Sequence, residues 1–220
     1  ARSGKFAGLR VVVNPLMSCG SCFACKSGDE HLCAGRELLG MRLAGAFAEQ
    51  LLVSEDNLTA ISDGLSDANA ALAEPLACAV NAVRLAEKHI SDRQAGVVVL
   101  GGGAIGLLSA MVFADLGFQD IHIAETNGLR REMIETVGNF STYDPVSGVP
   151  ACERVDIVLD AVGSGRTRAA ASTMVRPGGV ISHIGLQDSE SGLDTRRITL
   201  QEILFTGSYC YRNTEFAEAV

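Results

Sequence analysis

Residues 97–117 read VVVLGGGAIGLLSAMVFADLG and are the segment that indicates the fold most directly. An apolar run of the kind that forms a buried strand, residues 97–100, leads directly into Gly101, Gly103 and Gly106, and a helical pattern follows. In a G-x-G-x-x-G motif the first glycine permits a tight turn, the second lets the backbone approach a pyrophosphate, and the third lets the helix pack closely on the strand. The stretch therefore predicts a dinucleotide-binding loop. A glycine-rich turn that binds some other ligand is the alternative.

The segment after this loop alternates apolar strand patterns with helical ones. Strands are predicted at 97–100, 120–124, 155–159 and 179–184, and again near 203–208. Such alternation is typical of a parallel sheet with helices on both faces. We therefore expect an α/β fold with a Rossmann-type, doubly wound parallel sheet.

A carboxylate ends the second strand of this pattern. Glu125 closes the segment DIHIAE. An acid at this place accepts hydrogen bonds from the ribose hydroxyls of NAD and repels the 2′-phosphate of NADP. The sequence thus favours NAD, although Arg130 and Arg131 follow closely and could receive a phosphate.

Four cysteines lie in one short run, CGSCFACKSGDEHLC, with the spacing C-x2-C-x2-C-x7-C. They are Cys19, Cys22, Cys25 and Cys33. Four thiolates bind Zn²⁺ tetrahedrally and leave no open position for water or substrate, so the run predicts a structural zinc site. Disulfides, a redox switch or four unrelated thiols are the alternatives, but disulfide frameworks belong to small secreted domains.

The composition excludes several classes of protein. The chain has 220 residues, a formal net charge of −8 and no basic block, so we expect no nucleic-acid partner. No apolar run approaches the length of a membrane span, so we expect no membrane contact either. Thiol-based metal binding suits a reducing compartment, and we expect a cytoplasmic protein.

The segment before the glycine loop has a different pattern. RVVVN (10–14) predicts a strand, and 47–61 predicts one or two more. An alanine-rich helical segment follows, for which Ser66 or Asp67 can act as N-cap. We expect the proline in this segment to divide it into two helices that meet near Glu74–Pro75.

Together these motifs resemble the zinc-containing medium-chain alcohol dehydrogenases, in the polyol branch that includes sorbitol, L-idonate and threonine dehydrogenases. The similar segments are RVVVNP, the cysteine run, GAFAEQLLV, EPLACAVNAV, VLGGGAIGLLSA, VLDAVG, VRPGGVISHIGL and ITLQEILFTGSY. They cover essentially the whole chain. The resemblance implies part of a mostly β, GroES-like catalytic domain with the zinc lobe over 1–76, and a Rossmann cofactor-binding domain over 77–220.

The resemblance also implies roles for residues at matching positions. The four cysteines match the structural zinc ligands. Glu74 matches a glutamate that faces the catalytic zinc, although the residues alone favour an exposed acid at a helix end. The implied cofactor-binding residues are Gly101, Gly103, Ala104, Ile105, Gly106, Glu125, Arg130, Ala161, Val162, Gly163, Gly185 and Leu186.

Two catalytic-zinc motifs of the family have no counterpart in this sequence. The family has one ligand in a GICGSD-like stretch and another in a GHE motif, and His31, His89, His122 and His183 lie in neither context, so we expect them to be structural. A catalytic zinc needs three protein ligands. We therefore expect an internal portion of a longer dehydrogenase that does not turn over an alcohol by itself. Cys210 stands where polyol enzymes often have an arginine, which argues against a sugar alcohol.

The implied function is zinc-dependent hydride transfer between NAD and an alcohol or polyol, or a carbonyl in reverse. The competing hypothesis is a non-catalytic, NAD-binding regulatory or scaffold protein that keeps the structural zinc. The family also implies a homodimer or homotetramer paired through the edge of the sheet. The apolar segment ITLQEILFTG, near 199–208, is the candidate edge strand.

Overall fold

The structure, a computed structural model, describes residues 4–220. They form two compact units. One consists of the chain up to Cys78 together with Cys210–Val220, and the other of Ala79–Tyr209. The last eleven residues therefore belong to the same unit as the cysteine run.

The bounds of the strands and helices are as follows. The strands are β1 (Val11–Val13), β2 (Leu16–Met17), β3 (Glu37–Leu38), β4 (Leu58–Ala60), β5 (Gly96–Leu100), β6 (Ile121–Ala124), β7 (Ser141–Tyr143), β8 (Val155–Asp160), β9 (Val180–His183) and β10 (Leu204–Gly207). The helices are α1 (Phe23–Lys26), α2 (Asp67–Ala70), α3 (Ala73–Glu87), α4 (Ala104–Asp115), α5 (Gly128–Val137), α6 (Gly165–Met174), α7 (Thr195–Leu200) and α8 (Asn213–Ala219). None of the helices that these residues form has the length and apolar character needed to cross a bilayer.

The first unit is built on short antiparallel strand pairs. β1 pairs with β4, and β2 pairs with β3. The strand predicted at 10–14 is confirmed, and of the one or two predicted within 47–61 one forms. The core contains Leu16, Ala77, Tyr211 and Phe216, so the end of the chain supplies two of its large aromatic side chains.

The second unit contains a six-stranded parallel sheet with the strand order β10–β9–β8–β5–β6–β7. Every neighbouring pair is parallel. Numbered within the sheet, this is the 3-2-1-4-5-6 order of the Rossmann fold, whose two halves diverge between the first and fourth strands. The predicted fold class is confirmed. Ligands bind such sheets outside the carboxyl ends of the strands, at the point where the order reverses.

The central strands are buried on both faces, which explains their continuous apolar sequences. Val97 and Val99 pack in one core cluster, with Phe113 of α4, while Val98 and Leu100 pack in another. Because successive side chains of a strand point to opposite faces, the run VVVL contributes to both layers. Polar residues would leave unpaired groups in either layer, so the apolar run is required here.

Pro75 does not break a helix as predicted. The two helices meet at residues 71–72, and Pro75 lies in the first turn of α3, which runs on to Glu87. A proline is tolerated in a first turn because its missing N–H would have no intrahelical partner there. The Ser66 side chain caps α2 by accepting a hydrogen bond from the Asn69 N–H, as expected.

Two strand assignments near the sheet edges also differ from expectation. Within the apolar segment near 199–208, residues up to Leu200 complete helix α7, which Asp194 caps, and the edge strand begins only at Leu204. β7, at the opposite edge, was not predicted from the sequence. It has three residues, one of them exposed, so its apolar pattern is too short to recognise.

Asp156 holds the beginning of the central strands together. Its side chain is 1% exposed, and it accepts hydrogen bonds from Arg154 Nε, Arg176 Nε and the Gly96 N–H. Burial opposes the charge on this carboxylate, but the two guanidinium groups and the N–H lower its pKa below the ordinary value. The charged form therefore links β8, β5 and the turn after α6.

Asp156→Asn should destabilise the protein by about 3 kcal/mol, because it leaves two arginines without their shared partner. Since the folded pKa lies below the unfolded value of about 3.9, the contribution of Asp156 is present above that pH and is lost as the pH falls through the folded pKa. Chemical denaturation of wild type and variant from pH 7 down to pH 3 measures this. Glu153→Gln, at an exposed acid of the same segment, is the control. An unchanged stability difference across this range would contradict the role of Asp156.

Candidate cofactor site and metal centre

The glycine loop follows β5 at the carboxyl end of the sheet. Gly101 has φ +96°, and a Cβ at this position would lie 2.6 Å from Val162 Cγ2. Only glycine adopts such a conformation without strain. In addition, the loop after β8, which contains Val162, leaves no room for a side chain here. Gly101 therefore lets two neighbouring strand ends approach each other.

The other two glycines of the motif have opposite surroundings. A Cβ on Gly106 would lie 1.8 Å from the Gly101 carbonyl oxygen, so the third glycine is needed for helix α4 to start against the strand. A Cβ on Gly103 would meet nothing within 4 Å. Gly103 is the N-cap of α4, and the open space beside it adjoins the first-turn amides of Ala104 and Ile105. A helix N-terminus with open space in front of it fits a phosphate group.

Glu125 is fixed at the end of β6. It is 6% exposed, and its Oε2 accepts the Gly102 N–H at 3.0 Å while its Oε1 accepts the Asn127 N–H at 2.8 Å. Oε1 also accepts the Thr126 hydroxyl at 3.5 Å, so Oε2 is the oxygen that retains a lone pair for a further donor, such as a ribose hydroxyl. The carboxylate is thus oriented by the glycine loop on one side and by the start of α5 on the other.

The two arginines near Glu125 take different positions. Arg130 Nη1 lies 3.7 Å from Glu125 Oε2 and its side chain is mostly exposed. Arg131 Nη1 donates to the main-chain oxygen of Glu125 at 2.6 Å and lies 4.0 Å from an oxygen of Asp144. The guanidinium of Arg131 is therefore bound by protein oxygens, whereas that of Arg130 remains accessible to a ligand at the edge of the site.

Asp160 orients the loop after β8, and sequence reasoning did not identify it. It is fully buried, and its Oδ1 accepts the N–H groups of Val162 and Gly163 while its Oδ2 accepts the Thr167 hydroxyl. These bonds fix the turn that contains Ala161, Val162 and Gly163. The signal in the sequence was an acid ending the apolar strand VDIVLD.

The loop after β9 lies against this turn. Gly163 has φ +74°, and a Cβ on it would lie 2.0 Å from the Gly185 carbonyl oxygen. A Cβ on Gly185 would lie 2.1 Å from the Val162 carbonyl carbon. Leu186, next in the chain, is 77% exposed. The structure therefore brings together, at the carboxyl ends of β5, β6, β8 and β9, the predicted cofactor residues that follow these strands.

The four cysteines of the first unit converge. One Sγ atom from each of Cys19, Cys22, Cys25 and Cys33 lies within 4.8 Å of the others. The Cys22–Cys25 and Cys19–Cys25 sulfur distances are 3.5 and 3.9 Å, and none of the four forms a disulfide. Thiolates at about 2.3 Å from a tetrahedral Zn²⁺ would lie about 3.8 Å apart, so the cluster fits this ion.

The thiols of the cluster hydrogen-bond to one another, so their pKa values move in different directions: that of Cys25 is lowered and that of Cys22 is raised to about 11. The Ser21 N–H, with help from other donors, lowers the pKa of Cys19 to about 6. Helix α1 begins immediately after Cys22 and carries Cys25, so its first turn places two ligands side by side. The loop provides the tight geometry that a closed, four-thiolate centre requires.

Glu74 lies in the first turn of α3, in the first unit. The Cys78 thiol donates to Glu74 Oε1 at 3.6 Å, and burial together with the charge of Glu74 raises the pKa of Cys78. Across residues 4–220, two groups of side chains are close enough to share a metal ion, and neither includes Glu74. The residues present do not form a catalytic zinc site around Glu74.

Models of two protein families match the chain. The glucose dehydrogenase C-terminus model matches residues 68–214, and the alcohol dehydrogenase GroES-like domain model matches residues 2–63. The first match alone covers more than half of the 220 residues. The two matches also follow the order of the β-rich and Rossmann segments along the chain.

Individual relatives agree with these matches. D-altritol 5-dehydrogenase of Agrobacterium fabrum is 33% identical over 212 residues, which cover 92% of this chain and 61% of the relative. A protein of Sinorhizobium meliloti described as a zinc-binding dehydrogenase, bound to NADP, has a TM-score of 0.84 and 28% identity, covering 97% of this chain and 65% of its own. An Escherichia coli alcohol dehydrogenase complexed with NADH has a TM-score of 0.85 and 25% identity, covering 97% and 64%.

This chain thus spans about three fifths of the length of the curated relative that it matches. Within that span, the family models, the strand order of the sheet and the converging cysteines all agree. From these findings, the chain belongs to the zinc-containing medium-chain alcohol dehydrogenase family, in its polyol branch.

Proposed function

We propose that this chain binds NAD at the carboxyl ends of β5, β6, β8 and β9, and that it is part of an oxidoreductase that transfers a hydride between NAD and an alcohol or polyol, or a carbonyl in reverse. The observation that carries the proposal is the pairing of open space at Gly103 with the oriented carboxylate of Glu125, which are linked by the Gly102 N–H. A pyrophosphate and a ribose require these two features side by side.

Each loop has a separate task in this proposal. The amides of Ala104 and Ile105 bind the pyrophosphate, Glu125 binds the adenosine ribose, and Arg130 lies over the adenosine. The turn at 161–163 and the residues Gly185 and Leu186 line the nicotinamide half. NAD supplies the hydride chemistry, while the protein supplies position and electrostatics. Asp160 supports this by keeping the 161–163 turn rigid.

The remaining assignments are proposals of the same kind. The four cysteines hold a structural Zn²⁺ in a partial GroES-like domain over 1–76, which precedes a cofactor domain over 77–220. Glu74 faces the catalytic centre of the whole protein. A polyol-class substrate is supported by the similarity to D-altritol 5-dehydrogenase. A homodimer or homotetramer is supported by the edge position of β10.

A second candidate function is a non-catalytic NAD-binding protein. The observation that favours it is that, in the described part of the chain, Glu74 belongs to no group of three side chains that could share a metal ion. The similarity to named dehydrogenases favours the enzyme. Hydride transfer by the whole protein, assayed with NAD and a panel of alcohols and polyols, separates the two.

Cys22→Ser should remove one bound Zn²⁺ per chain and loosen the first unit, because a structural zinc site can contribute about 10 kcal/mol to local folding. Metal analysis and thermal unfolding of the purified protein measure both effects. Ser27→Ala, at an exposed residue of the same lobe, should keep the ion. Wild-type protein purified without chelator and carrying no zinc would contradict the assignment.

Gly103→Ala and Gly106→Ala should have different effects. At Gly103 the added methyl group occupies open space, so we expect an unchanged melting temperature and an NAD affinity reduced by at least about tenfold. At Gly106 the methyl group meets the Gly101 carbonyl, so we expect a loss of about 3 kcal/mol in stability. Calorimetric unfolding and NAD titration of both variants test this. Full NAD affinity in Gly103→Ala would exclude the pyrophosphate from this loop.

Wild-type protein should bind NAD more tightly than NADP, and Glu125→Gln should narrow the difference, because it removes the charge that repels the 2′-phosphate. Titration calorimetry with both cofactors gives the ratio of affinities. Glu132→Gln, an exposed acid on α5, is the matched control. Equal affinity of the wild type for the two cofactors would refute the role of Glu125 and would indicate that Arg130 binds the phosphate.

A further inference from the structure

A second group of metal-ligating side chains lies in the second unit. It is at the amino ends of the parallel strands, whereas the glycine loop is at their carboxyl ends. Asp120 directly precedes β6 and His122 is its second residue. Because strand side chains alternate, residues two apart lie on the same face. Cys152 lies three residues before β8. The group therefore joins the amino-terminal approaches to two strands of the sheet.

The three side chains are close enough to share one ion. One ligand atom from each of Asp120, His122 and Cys152 lies within 4.8 Å of the other two. His122 Nε2 is 2.6 Å from Asp120 Oδ1. The imidazole is 6% exposed while the Asp120 side chain is 46% exposed, so two of the ligands are held in the protein and the third faces solvent. An ion can enter from that side.

A hydroxyl beside the group has no partner. Tyr143 Oη is buried and makes no hydrogen bond within residues 4–220. Burial raises the pKa of Tyr143 to about 12, and the neighbouring Cys152 contributes to this shift. Buried polar groups are nearly always paired in folded proteins, with protein atoms or with ordered water. The hydroxyl next to the thiol can therefore pair with a water molecule or another ligand bound at this group.

The nearest other charges do not compete for the ion. Burial raises the pKa of Cys152, and the charges of Asp120 and Asp156 add to this effect. Asp156, however, is already bound by Arg154 and Arg176. Arg154 in turn also faces Asp92 at 3.7 Å. The carboxylate of Asp120 is the acid that remains available for a cation beside His122.

We propose that Asp120, His122 and Cys152 form a second Zn²⁺ site, distinct from the four-cysteine centre, with Cys152 Sγ, His122 Nε2 and an Asp120 oxygen as ligands. Thiolate, imidazole and carboxylate are the three side-chain ligands of Zn²⁺, and the thiolate excludes Mg²⁺ and Ca²⁺, which prefer oxygen. The Cys152 thiol releases its proton to solvent on binding, and the ion replaces the hydrogen bond between His122 and Asp120. The fourth position stays open to water, the kind of partner that the Tyr143 hydroxyl lacks.

The site has a consequence for the sheet. It links the start of β6 to the segment before β8, on the two sides of the central strand β5. An ion there restrains the amino ends of these strands, at the end of the sheet away from the dinucleotide loop. It would stabilise the fold where the chain otherwise has one hydrogen bond and a half-buried thiol.

Metal titration of the whole chain tests the proposal. Protein already carrying Zn²⁺ at the four-cysteine centre is titrated with Co²⁺, and thiolate-to-cobalt charge-transfer absorption is followed. We expect one equivalent of Co²⁺ to bind, in addition to the Zn²⁺ already present, in the wild type and in the control His89→Gln, an exposed histidine of the same unit. Cys152→Ser and His122→Gln should each lower the affinity for this equivalent by at least about 100-fold, since losing even an outer-shell partner costs 10–100-fold. Wild-type protein that binds no Co²⁺ beyond its Zn²⁺, or one equivalent of Co²⁺ retained with unchanged affinity in both variants, would overturn the proposal.

A measurement on the wild-type protein tests the site independently of whether the variants fold. Free Zn²⁺ at ten times the dissociation constant should slow alkylation of Cys152 by about tenfold, because only the unbound fraction reacts. Peptide-level mass spectrometry reports this rate for Cys152 separately from the four-cysteine run. Equal alkylation of Cys152 with and without Zn²⁺ would show that the three side chains form only a hydrogen-bonded cluster.

Discussion

The contact between Gly106 and the carbonyl oxygen of Gly101 is the constraint on which the second unit depends. Because there is no room for a Cβ at this point, helix α4 starts directly at the end of β5, a strand that is buried at every residue. This closeness puts the free amides of the first turn at the carboxyl end of the sheet, where the dipole of the helix favours an anion. A larger residue would push the helix away and separate the amides from the strand ends beside them.

Buried carboxylates fix the loops around this contact. Glu125 joins the glycine loop to α5, and Asp160 shapes the turn after β8 through two main-chain N–H groups. A charged oxygen that accepts several N–H bonds holds a loop more firmly than a neutral one, because charge-assisted hydrogen bonds are about twice as strong. At the amino ends of the strands, Asp156 does the same with two arginines. Buried acids therefore hold the sheet at both ends of its strands.

Sulfur is used in two different ways in this chain. The four-cysteine run is local: its ligands lie within fifteen residues, and α1 begins between the second and third. The group at Cys152 is non-local, since the thiol comes from a segment thirty residues after His122. A local set can bind its ion whenever its loop forms. A non-local set of ligands exists only when the sheet has formed, so an ion can bind there only in the folded protein.

Sequence patterns were enough to predict the parallel sheet, the glycine loop, the acid at the end of β6 and the cysteine run. Each of these is encoded by residues close together in the chain: the VVVL run and its glycines, DIHIAE, and the C-x2-C-x2-C spacing. Hydrophobic period and turn chemistry act over a few residues, so such patterns can be interpreted without knowing the rest of the structure. The proline in α3 shows the limit, because a helix boundary depends on where neighbouring turns find their hydrogen bonds.

The folded chain was needed to establish the partners of Asp160 and Asp156, the existence of β7, and the proximity of Asp120, His122 and Cys152. These features join segments that are separated in sequence and are set by the order of strands in the sheet. Asp120 and Cys152 are unremarkable in the sequence, an acid before a strand and a single thiol. They form a candidate metal site because parallel strands bring their amino ends to the same end of the sheet, and a strand order of this kind follows from the packing of the whole sheet.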